Sequence, residues 1–259
     1  MRKPRKKVSN LLNSLHKSGK KGLAWLIDPD KCQNLNQLEN QFKWVKDSGL
    51  DLIMVGGSHM SRDNFKEVIL SVKKVAGGIP VVIFPGSQQQ IVGDADAILF
   101  LSLISGRNPE YLIVQQVAAA PLVANTNLEV LPTAYLLVNN GEINSVHYIS
   151  QTVPLPNSQP ELAQATALAG KYLGLKFFFL DAGSGSSNPV SSQVIEMVKE
   201  AVQKPILVGG GIDSFEKLKS AFNAGADLVV LGNSIEKDPG FLVRVLDYKM
   251  WYNNSLNVN

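Results

Sequence analysis

Residues 205–233, PILVGGGIDSFEKLKSAFNAGADLVVLGN, hold one complete structural unit. Two apolar runs, ILV and LVVL, each end at glycine, and between them Phe215, Leu218 and Phe222 recur at the spacing of one helix face. Strands apolar on both faces need cover on both sides, so strand, helix and strand read as a parallel crossover. The same reading extends outwards through six earlier runs: GLAWLIDPD (22–30), LDLIMVGG (50–57), PVVIFPG (80–86), ADAILFLSL (95–103), TAYLLVN (133–139) and KFFFLDAGSG (176–185). Helical spacing between them is carried by Leu38, Phe42 and Val45; by Phe65, Val68, Ile69 and Val72; by Leu162, Ala165, Leu168 and Leu173; and by Val194, Ile195, Val198 and Val202. Eight such strands predict a TIM (β/α)8 barrel, and 259 residues is close to the size of one.

One unit breaks the pattern. Only residues 87–94 separate the third strand from the fourth, whereas a parallel crossover needs about a dozen residues or more. The third helix is therefore expected to be reduced or replaced by a loop, leaving that side of the barrel open. Residues 140–159 form a long insertion after the fifth strand, a candidate hairpin or lid.

Composition narrows the class. With 45% hydrophobic and 18% charged residues the chain can fill a core, and a net charge of +3 is too small for a disordered or supercharged protein. A single cysteine, Cys32, excludes an internal disulfide and a multi-cysteine zinc site, so a reducing, cytoplasmic setting is expected. The run 97–104 is far short of the roughly 20 residues of a membrane span. Arg2, Lys3, Arg5, Lys6, Lys7, Lys17, Lys20 and Lys21 fall in the first 21 residues without an acid, while the remainder carries 17 basic against 22 acidic residues. One domain spanning 1–259, with a basic extension at about 1–21, is the expected organisation. That extension reads as a solvated helix or as a contact for anionic lipid.

Chemistry in a barrel of this kind sits where the strands end. Gly210 and Gly211 follow the seventh strand and Gly232 and Asn233 the eighth, the position where barrel enzymes hold a phosphate through backbone N–H groups and helix termini. Asp181 ends the sixth strand before Gly183-Ser184-Gly185, a carboxylate able to take or orient a substrate proton. Opposite, Asp28 ends the first strand and Ser58 follows the second, a carboxylate and a hydroxyl suited to a hard cation such as Mg²⁺. Asp28 is favoured over Asp30, which is left free to cap or to meet solvent. His16, His59 and His147 show no ligand spacing and read as surface or loop residues, and no hydrolase triad or Walker A motif is present.

Taken together, LIDPDK (26–31), DLIMVGGS (51–58), FLSLISGRNPEYLI (100–113), FLDAGSG (179–185), PILVGGGI (205–212) and DLVVLGN (227–233) resemble the geranylgeranylglyceryl phosphate synthases and their heptaprenyl relatives, in order over nearly the whole chain. The resemblance implies a Mg²⁺-dependent prenyltransferase that joins the C3 hydroxyl of sn-glycerol 1-phosphate to a polyprenyl diphosphate, geranylgeranyl by expectation, and releases diphosphate. It implies a magnesium site at Asp28 and Ser58. A glycerol phosphate site is implied at Phe179, Leu180, Asp181, Ala182, Gly183, Ser184, Gly185, Gly210, Gly211, Gly232 and Asn233. Asp28 and Asp181 are the implied catalytic residues, with Lys31 and Arg107 as candidate helpers. Residues 98–103 and Tyr135 are candidates to line the groove for the prenyl tail.

Two positions depart from the family pattern: Phe179 and Asp181 stand where tyrosine and glutamate are usual. The family further implies a homo-oligomer and peripheral membrane contact, and nothing suggests a nucleic-acid partner. The competing readings are another phosphate-handling barrel, such as an indole or imidazole glycerol phosphate enzyme or an FMN oxidoreductase, and a non-catalytic phosphate- or lipid-binding barrel.

Overall fold

Alternation along the strands sorts the apolar side chains into two cores. Leu52, Met54, Val82, Leu99, Leu131, Phe177, Leu207 and Leu228 belong to an inner cluster, while their neighbours Ile53, Val55, Val81, Ile83, Phe178, Ile206 and Val229 pack with the surrounding helices. This two-sided burial is why the strands read as unbroken apolar runs. The computed structural model describes residues 7–32 and 49–256.

Eight parallel strands pair in chain order: β1 (Gly22–Ile27), β2 (Leu52–Val55), β3 (Val81–Ile83), β4 (Ala97–Leu103), β5 (Glu129–Asn139), β6 (Phe177–Asp181), β7 (Ile206–Gly209) and β8 (Leu228–Leu231). Pairing of β8 with β1, from Gly22↔Leu228 to Trp25↔Leu231, closes the barrel. The helices are α1 (Lys7–Ser18), α2 (Phe65–Val75), α3 (Gln115–Ala124), α4 (Ser145–Ser150), α5 (Pro160–Tyr172), α6 (Ser192–Val202), α7 (Phe215–Asn223), α8 (Asn233–Lys237) and α9 (Pro239–Ser255). A π-helical turn, Glu110–Val114, leads into α3. The helix expected around Leu38, Phe42 and Val45 lies outside the described residues.

Between β3 and β4 there is a single 3-10 turn, Gln88–Gln90, in place of a third helix. The 140–159 insertion forms α4 and a two-residue strand, Leu155–Pro156, that pairs with the end of β5. None of the described helices is long and apolar enough to cross a membrane.

Two expectations are corrected by packing. On α5 the buried residues are Pro160, Ala163, Ala167 and Gly170, whereas Leu162 and Leu173 are exposed. Small residues win because the helix lies close on the sheet: a Cβ on Gly170 would stand 2.8 Å from Ile104 and 3.3 Å from Ala134. The basic segment, expected as a solvated helix, is helical from Lys7 but packs one face against the barrel. Val8, Leu12 and Leu15 of α1 are buried and join the inner cluster, stopping the barrel at the strands' N-terminal ends. Glu129, at the start of β5, accepts the N–H groups of Val8 (2.8 Å) and Ser9 (2.9 Å), satisfying from a strand two donors of the first helical turn. Lys21 is buried and donates to the Ala226 carbonyl at 2.9 Å; Arg2, Lys3, Arg5 and Lys6 lie outside the described residues.

Candidate active site

Parity along β6 decides the centre of the site. Phe179 and Asp181 share the inward face, while Leu180 and Ala182 belong to the outer cluster among the helices. Leu180 and Ala182 therefore meet a ligand through their backbone at most, and neither lines the cavity of about 830 Å³ at the C-terminal ends of the strands. Gly183 is also behind the wall, where its N–H donates to Asp181 Oδ1 at 2.8 Å.

One half of the cavity is glycine-lined. Ser184, Gly185, Gly209, Gly210, Gly211, Gly232 and Asn233 form it, with the N-terminus of α8 beginning at Asn233. Gly210 and Gly211 adopt φ of +77° and +67°, and a Cβ on Gly210 would come within 2.6 Å of Asp181 Oδ1. Only glycine fits that contact, and it leaves main-chain groups facing the cavity. Ser214 caps α7, accepting from Lys217 N at 3.3 Å.

Asp181 is 7% exposed and forms no salt bridge among the described residues. Its Oδ2 accepts from the Tyr135 hydroxyl at 2.6 Å, across the β5–β6 pairing that sets Tyr135 beside Phe179. Burial raises the Asp181 carboxyl above the usual carboxylate range, against the opposing pull of the Tyr135 hydroxyl and the Gly183 N–H. Burial, and then the charge of Asp181, raise the Tyr135 phenol well above its ordinary value. Tyr135 thus serves the carboxylate as well as lining the cavity. Phe179 stacks on Phe84 at 5.0 Å between ring centroids, and Tyr135 meets both edge-on, so these rings floor the site.

His147, expected at the surface, is 2% exposed on α4. Its Nδ1 faces Asn144 Oδ1, and its buried Nε2 has no partner among the described residues. Burial lowers its basicity and the charge of Asp181 raises it. His59 is at the cavity wall, and His16 pairs with Asp227 at the opposite end.

The other half gathers Asp28, Asp30, Lys31, Gly57 and Ser58. Asp28, not Asp30, is the cap: its Oδ1 accepts from Asp30 N at 3.1 Å. Asp30 accepts from Ser61 N at 2.8 Å through Oδ2, while its buried Oδ1 has no partner among the described residues. Burial raises the Asp28 carboxyl. Lys31 spans the mouth, 4.0 Å from Asp28 and bonded to Asn233 Oδ1 and Glu236 Oε2 at 2.7 Å each. Arg107 instead donates to the Gly106 carbonyl at 2.8 Å and is absent from the cavity wall. The Cys32 thiol is pushed up to about 12 by burial and then by Asp28 and Glu236, which disfavours the thiolate.

No group of three metal-ligating side chains occurs among the described residues. A carboxylate, a hydroxyl and the unpartnered Asp30 oxygen in one wall fit Mg²⁺ only in its usual manner, with waters and substrate oxygens completing the shell. The third wall is apolar: Ile98, Leu99, Phe100, Leu101 and Leu103 of β4 line it with Tyr111 and Ala119, on the side where the third helix is missing.

Glycine loops after β7 and β8, a buried carboxylate after β6 and a cavity confined to the strands' C-terminal ends define a TIM-barrel enzyme of the phosphate-handling type. More narrowly, the chain belongs to the PcrB family, whose model matches residues 18–249. It is 45% identical to the geranylgeranylglyceryl phosphate synthase of Spirosoma linguale over 246 residues, covering 95% of this chain and 98% of that one. The corresponding protein of Korarchaeum cryptofilum is 37% identical over 240 residues, covering 93% and 98%. Among solved structures, (S)-3-O-geranylgeranylglyceryl phosphate synthase from Thermoplasma acidophilum, in complex with its substrate sn-glycerol 1-phosphate, superposes with a TM-score of 0.80 at 32% identity, covering 88% of this chain and 92% of that one.

Proposed function

We infer that this protein is a geranylgeranylglyceryl phosphate synthase, transferring a polyprenyl group from its diphosphate to the C3 hydroxyl of sn-glycerol 1-phosphate. The observation that carries the reading is Asp181, buried, held by Tyr135 and packed against Gly210 beside the glycine-lined half of the cavity. In that half the backbone N–H groups and the α8 terminus hold the phosphate of the acceptor. Asp181 accepts the proton of the C3 hydroxyl as the new C–O bond forms and the bond from the prenyl carbon to diphosphate breaks, so the products are the ether and diphosphate. The shorter side chain of Asp181 leaves room for a bridging water to the hydroxyl.

Asp28 and Ser58 would hold the magnesium, which when bound supplies charge neutralisation for diphosphate. The apolar wall of β4 accommodates the tail, and its apolar lining excludes water from a reactive allylic centre. The names of the relatives favour a geranylgeranyl donor. Catalysis is assigned to the cytoplasm, and the α3 segment, exposing Ile113, Val117 and Leu122 with no charged residue from 111 to 128, favours self-association through that face. Any membrane contact made by α1 falls at the end of the barrel opposite the cavity, so it would not present the site to lipid.

The test is incubation of purified protein with radiolabelled glycerol 1-phosphate, Mg²⁺ and polyprenyl diphosphates of several lengths, followed by organic extraction. Label in the organic phase is expected, greatest with the geranylgeranyl donor. No label with any donor, from folded protein, would overturn the assignment.

A further inference from the structure

The turn that replaces the third helix carries a buried polar side chain that the mechanism above does not use. Gln90 is 1% exposed, although it belongs to a single 3-10 turn whose neighbours Ser87, Gln88 and Ile91 face the cavity. Its Nε2 donates to the Gly57 carbonyl at 2.8 Å, and its Oε1 accepts from Gly86 N at 3.1 Å and, more weakly, from Gly57 N at 3.5 Å. One amide therefore ties the loop after β2 to the loop after β3. These loops touch through their backbones: a Cβ on Gly86 would stand 2.2 Å from the Gly57 carbonyl oxygen, and one on Gly56 would stand 1.8 Å from that of Phe84. Gly57 is followed by Ser58, and a Cβ on Gly57 would meet Asp28 Oδ1 at 3.5 Å. In a complete barrel a helix packed outside β3 would brace this place.

We propose that Gln90 is a positioning residue that takes over this bracing, fixing Gly57 so that Ser58 is held on the Asp28 side of the cavity and the diphosphate half of the site keeps its shape. The proposal rests on the reading of Asp28 and Ser58 as the diphosphate side. Acting behind the wall, Gln90 governs one ligand and leaves the other alone, because its hydrogen bonds among the described residues go to Gly57 and Gly86 and not to the glycine loops of β7 and β8.

The experiment is calorimetric binding, without turnover, of inorganic diphosphate with Mg²⁺ and separately of sn-glycerol 1-phosphate, to the wild type, Asp28→Asn and Gln90→Met. Methionine keeps the length of the side chain and loses its hydrogen bonds. The expected result is about tenfold weaker magnesium diphosphate binding by Gln90→Met, as for other residues that orient metal ligands, with glycerol phosphate affinity within about twofold of wild type. Should Gln90→Met not fold, Gln90→Glu, which retains the acceptor for Gly86 N, is measured in the same way. Equal weakening of both ligands, or of neither, overturns the proposal. Asp28→Asn separates the two failures: if it binds magnesium diphosphate like the wild type, the assignment of the site falls and the proposal with it, whereas impaired Asp28→Asn beside unimpaired Gln90→Met sinks only the bracing role.

Discussion

The two ends of the barrel treat the carboxylates at the strand ends in opposite ways. At the N-terminal end, Asp51, Asp96 and Asp227 each precede a strand, and each accepts from the first N–H groups of a neighbouring strand, at Leu23 (2.9 Å), Val81 (2.7 Å) and Ile206 (2.8 Å). Each is also answered by a lysine from a helix: Lys249, Lys73 and Lys199. Glu129 does the comparable work for α1. At the C-terminal end Asp181, 7% exposed, is met by a phenol and a main-chain amide and by no salt-bridge partner among the described residues. Carboxylates met by lysines and strand N–H groups fasten elements together, while burial gives Asp181 a raised proton affinity that its neutral donors only partly offset, which suits it to chemistry.

The sharpest way to break this contrast is Asp181→Asn. Removing the proton acceptor is expected to lower kcat about a thousandfold. The melting temperature should fall little or not at all, because the folded carboxyl lies above its unfolded value and its charge costs stability once pH rises past the ordinary carboxylate range. A steady-state assay beside a thermal melt checks both, and a large fall in melting temperature would place Asp181 with the structural carboxylates.

Asp227→Asn should do the reverse. Its side chain is 2% exposed and faces both Lys199 and His16, so uncoupling this cluster should cost about 3 kcal/mol in denaturant unfolding. The KM for glycerol 1-phosphate is expected to be unchanged, and a shifted KM would show that the two ends are coupled.

A smaller effect is expected from Tyr135→Phe. The hydroxyl lowers the Asp181 carboxyl's proton affinity, so its loss raises that affinity further. Activity requires the ionised carboxylate, hence the acid limb of the pH–rate profile should move to higher pH, with about a tenfold loss near neutrality. An unmoved limb would remove Tyr135 from the pairing with Asp181.

Much of this molecule was legible in one dimension. Unbroken apolar runs ending in Gly or Asp gave the strands and their order, because strands covered on both faces have no polar alternation. The short 87–94 connection gave the absent helix, since no crossover fits in it. Glycines at 210, 211 and 232 marked the glycine-lined half of the cavity, because a main chain that must come close to its surroundings excludes side chains. The α5 face escaped, since alanine and glycine look neutral until the sheet they must approach is known. The inward face of Phe179 and Asp181, the meeting of Asp181 with Tyr135 46 positions away, the burial of His147 and α1, and the hold of Gln90 on two loops were settled only in three dimensions. The local chain determines which residues end a strand, through apolar runs and glycine freedom. Which of them face one another depends on strand register and barrel closure, and these are set by contacts among segments distant in sequence.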